Sequence, residues 1–196
     1  MTNAKEGFKK LYTSELLLIA SAVVGAVSTN NIPIGLASVA LMIAAFFISL
    51  KGLSLMSLDD EGYKKAQKIN LYAIYAVIAF TVLEVIFANN ATVSGILSKC
   101  SKAVNEATEF VVAYLILKAS IDIFTKQGNN EMVEYISKTL QFYQVAYVVG
   151  ALIGLIDVPE SIWALLALVV AIAALILIVV AQIKYIKFLK KMSETL

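Results

Sequence analysis

EGYKKAQKINLYAIYAVIAFTV, Glu61 to Val82, decides the fold because it states a pattern that recurs. It runs Glu-Gly-aromatic-Lys-Lys, then a short polar approach, then apolar residues long enough to enter a bilayer. EGFKKLYTSELLLIASAVVGAV, Glu6 to Val27, stands 55 residues earlier. The two match at Glu6/Glu61, Gly7/Gly62, Lys9/Lys64, Lys10/Lys65, Leu16/Leu71, Ile19/Ile74 and Val27/Val82, with Phe8 opposite Tyr63. A third, weaker copy begins at Glu131, 70 residues after Glu61.

Composition sets the solvent. With 60% hydrophobic residues, 15% charged residues and a mean hydropathy of +0.84, the chain lies far from soluble domains, in which about a quarter of residues are charged. It reads as an all-α integral membrane protein. A spanning helix needs about 20 apolar residues, so 196 residues hold at most six spans with short connections and form a single membrane domain. Lys5, Lys9 and Lys10 ahead of the apolar run, with Ala26-Val27-Ser28 after it, have the form of a secretory signal. Its recurrence in mid-chain argues instead for a retained first helix.

Apolar runs bounded by turn signals predict six spans, at roughly 11–28, 34–55, 69–88, 103–124, 140–156 and 162–183. The turn signals are Thr29-Asn30-Asn31 with Pro33, Ser57 to Gly62, Asn89-Asn90, Gln127 to Asn130, and Asp157 with Pro159 and Glu160. Pro159 and Glu160 suit the start of the sixth helix. Fourteen of the sixteen lysines fall on one side of these spans and only Lys99 and Lys102 on the other. By the positive-inside rule the protein is a multi-pass cell-membrane protein with both termini cytoplasmic.

Each copy of the pattern then becomes a hairpin, over residues 6–57, 61–127 and 131–194. The even-numbered spans end alike, at Lys51 in ISLKGLSLM, Lys118 in LILKASIDI and Lys184 in AQIKYIKFL. Two spans per copy give all three hairpins one orientation, so the repeats are parallel about the membrane normal and predict a pseudo-threefold bundle. Ser21 with Gly25 and Gly150 with Gly154 have the small-residue spacing that lets membrane helices approach. The Lys-rich inner face attracts anionic lipid.

Ionisable residues inside a span are costly and so are functional candidates. Glu84 near the far end of the third span is the clearest. The connection after it, SGILSKCSKAVNEATEF, reads as the longest outer loop. If the fourth helix starts early, Lys102, Glu106 and Glu109 share one face by their spacing of four and three, with Asn105 beside them. Together with Glu84 they predict an outward-facing polar site for a small solute or a cation, the identity of any metal being open. Glu15 aligns with Asn70 and Leu140, so no ring of identical charge exists there and a symmetric pore is disfavoured. It reads as a helix-end residue at the inner interface.

The chain has no His, no Arg and one cysteine, Cys100. A nucleophile with its base, a Cys/His metal cluster, a phosphate loop and a nucleic-acid footprint are all missing. The expectation is a non-enzyme without cofactor and without nucleic-acid partner. The competing reading is a membrane protein that acts through contacts with lipid, a membrane-protein partner or a second copy of itself, in a regulatory, assembly or immunity-type role. In layout, the size and six spans resemble the substrate-binding subunits of energy-coupling vitamin transporters, and the three two-helix repeats resemble mitochondrial carriers. The carriers' Pro-x-Asp/Glu-x-x-Lys/Arg signature is missing from the odd-numbered spans.

Overall fold

The computed structural model describes residues 2–27, 32–154 and 163–196. Among them the chain is six α-helices without a strand: α1 (Thr2–Val27), α2 (Ile32–Met56), α3 (Glu61–Ile86), α4 (Ala91–Lys126), α5 (Asn130–Gly154) and α6 (Trp163–Thr195). The expected turn at Thr29 to Asn31 and the residues Asp157, Pro159 and Glu160 lie outside the described residues. Helices α1, α2, α3 and α6 are long and apolar enough to cross a membrane. They suggest a membrane protein.

The helix ends follow from local chemistry. Asp60 takes an extended conformation before α3 and accepts the Gly62 N–H at 2.7 Å, satisfying a donor that the first turn leaves unpaired. Asn90 does the same for α4 through the Val93 N–H at 3.2 Å. At the end of α4, Gly128 has φ +70°, a conformation that glycine adopts without strain. It permits paired hydrogen bonds from the Asn129 N–H to the Phe124 carbonyl and from the Gly128 N–H to the Thr125 carbonyl. Asn129 then accepts from the Met132 N–H and starts α5.

Helix α1 is capped from outside its own segment. Asp59 accepts the Ala4 N–H at 2.7 Å and the Asn3 side-chain amide at 3.1 Å, placing a carboxylate at the positive end of the helix. Asp59→Ala is expected to cost about 1 kcal/mol, a fall in Tm of roughly 3 °C for a chain of this size, read by thermal unfolding of the detergent-purified protein. An unchanged Tm would remove this contact from the account.

Each helix packs on its chain neighbours, and α6 packs back on α1, closing a ring. The tightest seam joins α1 to α2 through three small-residue crossings. Gly7 lies against Gly52, the Ser14 hydroxyl donates to the Ala45 carbonyl at 2.8 Å, and Ser21 and Ser38 each donate to the other's carbonyl at 2.8 Å. Each step of seven along α1 matches a step of seven back along α2, the near-parallel packing of a heptad seam. Ser21 contributes here as its small size suggests, and Gly25 stands beside the Ser38 side chain.

The core sits at the Lys-rich end. Phe8, Tyr63, Phe124, Phe188, Met56, Ile136, Leu189 and Met192 are fully or almost fully buried. Phe8 meets Tyr63 and Phe188 edge to face, each at 5.7 Å between centroids, and the Tyr63 hydroxyl is hydrogen-bonded to Ser120. Lys184 and Lys191 lie over the rings of Phe142 and Tyr135 and keep their charge at the edge of the core. Towards the opposite end, large apolar side chains such as Val27, Leu36, Val85, Ile86 and Leu168 are exposed. Exposed apolar side chains in such number fit a hydrocarbon surrounding better than water.

The sequence reading of the second hairpin needs correction. The stretch from Ser94 to Phe110 is helical throughout, because α4 begins at Ala91 directly after the Asn90 cap. The expected long outer loop is therefore a turn of a few residues after Ile86. At 36 residues α4 is about 54 Å long, well beyond the roughly 30 Å of a hydrocarbon core.

Candidate functional site

The extension of α4 carries one wall of a cavity of about 650 Å³ between α4, α5 and α6. From α4 come Lys99, Lys102, Ala103, Glu106 and Glu109; from α5 Tyr143, Ala146, Tyr147, Gly150 and Ala151; from α6 Ile178, Ala181 and Gln182. Small residues make the space. A methyl group on Gly150 would come within 2.8 Å of the Ile178 side chain, so this glycine also sets how closely α5 and α6 approach.

Helical spacing puts Lys102, Glu106 and Glu109 on one wall. Lys102 and Glu106 form an exposed ion pair at 3.8 Å, which contributes little to stability. Glu109, also exposed, lies about one turn nearer the Lys-rich end of α4 and forms no ion pair among the described residues. The tyrosine wall is held from behind by Phe110, whose ring stacks on Tyr147 at 4.2 Å and lies parallel to Tyr143 at 6.0 Å. Tyr143 in turn is 5.6 Å from Tyr185, which joins the wall to the buried core below.

At the deep end Gln182 donates to the Glu15 carboxylate at 2.9 Å. Glu15, Tyr143 and Gln182 are each 13 residues from the Lys-rich end of their helices, about 20 Å at the helical rise, so they share one level. Gln182 shares the cavity lining with Glu109, so the hydrogen bond to Glu15 brings a second carboxylate up behind that lining. Glu15 is thus a mid-helix residue, because α1 starts at Thr2. Its reading as a helix-end residue is corrected by that early start.

The remaining two candidates stand apart. Asn105 is exposed and does not line the cavity; Glu84 is half-buried on α3, also outside the lining. The loop that would have brought Glu84 to the others is replaced by a rigid helix. Its Oε1 is buried without a hydrogen-bond partner among the described residues.

No known protein family, characterised protein or solved structure matches this chain. The site therefore has to be read from its own chemistry. Among the described residues no group of three Asp, Glu, Cys or His side chains is arranged to hold a metal ion. The cavity offers carboxylates, an amide, tyrosine faces and small apolar surfaces, closed at the Lys-rich end by the aromatic and methionine core. Sequence reading put Glu15 at a helix end and did not single out Gln182; the two are 167 positions apart and meet through the closure of α6 on α1. Tyr143 and Tyr147 are four residues apart on one face of α5, a spacing that an interfacial aromatic belt explains equally well.

Proposed function

We propose that the chain is a six-crossing membrane protein that binds or moves a small solute or cation through the α4–α5–α6 cavity, reached from the non-cytoplasmic side. The observation that carries this reading is a largely apolar cavity that also carries Lys102, Glu106 and Glu109 on one wall, above a closed core of Phe8, Tyr63 and Phe188. A volume of about 650 Å³ falls within the 300 to 1,000 Å³ typical of small-molecule pockets. The lysine bias places the closed end and both termini in the cytoplasm, beside anionic lipid.

Six crossings require α4 and α5 to span as well, although neither is among the four helices whose length and apolar character alone suit a crossing. The two helices supply most of the cavity lining, including Lys99, Lys102, Glu106, Glu109, Tyr143 and Tyr147, and polar residues in membrane helices face interiors or cavities. The three-hairpin repeat is supported by packing at matched positions. Gly7 lies against Gly52 in the first hairpin and Gly62 against Ala119 in the second, and both even-helix positions directly follow an aligned lysine, Lys51 and Lys118.

The test fills the space. Ala103→Trp places a large ring on the α4 wall at an exposed position, so folding is retained while room is lost. Purified protein is screened by thermal shift against alkylammonium ions, amino acids and carboxylates. A solute that stabilises the native chain is expected to bind at least about tenfold more weakly to the variant, or 1.4 kcal/mol. A solute that binds both equally would contradict the reading. A stoichiometric membrane-protein partner with no solute-dependent shift would favour action by contact instead.

A further inference from the structure

We infer that the cavity takes an organic ammonium ion, its charged nitrogen held at the Glu109 and Gln182 end, where Gln182 is hydrogen-bonded to Glu15, and its hydrocarbon body against Tyr143 and Tyr147. The inference rests on the solute-binding reading and names the substrate class of that site. Charge balance is the first step. Glu106 is already paired with Lys102, whereas Glu109 has no cationic partner among the described residues and Glu15 has only the neutral amide of Gln182. Glu109 and Gln182 both line the cavity and Glu15 is one hydrogen bond behind Gln182, so a cation seated there is attracted by both carboxylates. Lys99 does not fill that role, lying ten residues before Glu109 on α4, about 15 Å away.

Size and surface decide which cation. A bare metal ion would leave most of the roughly 650 Å³ empty, and the described residues contain no three-ligand set for one. The rest of the lining is Ala146, Ala151, Ile178 and Ala181 with two tyrosine rings, and the rings are fixed by their stacking on Phe110. Aromatic faces attract alkylated ammonium groups through the ring quadrupole while covering their carbon surface. A carboxylate-bearing solute would instead meet like charge at the deep end.

The experiment compares three molecules that share one body: phenethylammonium, 2-phenylethanol and phenylacetate. Each is titrated calorimetrically into the full chain in nanodiscs of zwitterionic lipid, with tetraethylammonium as a second cation. Phenethylammonium is expected to bind at least tenfold more tightly than the alcohol or the acid, and Glu15→Gln and Glu109→Gln are each expected to weaken it at least tenfold. The comparison on the native chain needs no variant to fold. Binding of 2-phenylethanol or phenylacetate as tightly as the ammonium ion overturns the inference and leaves solute binding standing. No binding of either ammonium ion also overturns it, and the solute reading falls with it if the Ala103→Trp panel is equally silent.

Discussion

Phe8→Ala is expected to be the most destabilising single truncation in the chain, costing about 3 to 5 kcal/mol and lowering Tm by roughly 10 °C. The ring is fully buried and is shared by three helices, since Phe8 on α1 meets Tyr63 on α3 and Phe188 on α6. Position adds to the effect. Phe8 is flanked in sequence by Lys9 and Lys10 at the watery end of the bundle, where burying apolar surface drives packing. Within lipid that drive is largely lost. Phe47→Ala is the control, because Phe47 is 63% exposed on α2 within the apolar belt and its ring exchanges helix contacts for lipid. Heating the detergent-purified variants and measuring the surviving monodisperse fraction separates the two. Equal loss from both would show that the core does not reside where it is placed here.

Gly7→Val tests the heptad seam and is expected to cost about 3 kcal/mol, the upper part of the range for overpacked sites. A side chain at Gly7 would run into the Met56 side chain and come within 2.7 Å of the Gly52 carbonyl oxygen. The Met56 thioether can move, but a backbone carbonyl moves only with its helix, so α1 and α2 must separate along their length. Separation also loosens the Ser14–Ala45 and Ser21–Ser38 hydrogen bonds higher on the same seam. The expected fall in Tm is roughly 9 °C. Gly35→Ala offers the contrast, having nothing within 4 Å of the added methyl; alanine's better helix propensity makes it neutral or stabilising by up to about 1 kcal/mol. If both variants melt together, close approach at Gly7 is not what holds this hairpin.

The helical, membrane-type character of the chain was legible because composition and long apolar runs respond to the same solvent that the exposed belt faces. Gly7 and Gly62 could be marked by their recurrence, and both prove to be sites where a side chain would collide with the facing helix. Turn residues marked most helix ends, as Asp60, Asn90 and Gly128 show. The start of α4 was not legible: Ser, Lys, Asn and Glu between Ser94 and Glu109 resemble a loop in composition, and helicity there comes from a cap at Asn90 and uninterrupted chain beyond it. The spacing of Lys102, Glu106 and Glu109 carried enough information to group them. What grouped them with Glu15 and Gln182 was tertiary closure of the ring, which no local pattern encodes. Glu84 misled for the converse reason, since a carboxylate in an apolar run marks cost without saying which direction it faces.

The central claim is that the cavity opens away from the cytoplasm. Cys100 is the chain's one cysteine, exposed on α4 between Lys99 and Lys102, two residues that line the cavity's upper wall. A membrane-impermeant maleimide added to intact cells or right-side-out vesicles is therefore expected to label Cys100 without permeabilisation, to the same extent as after it. Labelling only after the membrane is opened would place the cavity on the cytoplasmic side and contradict the account.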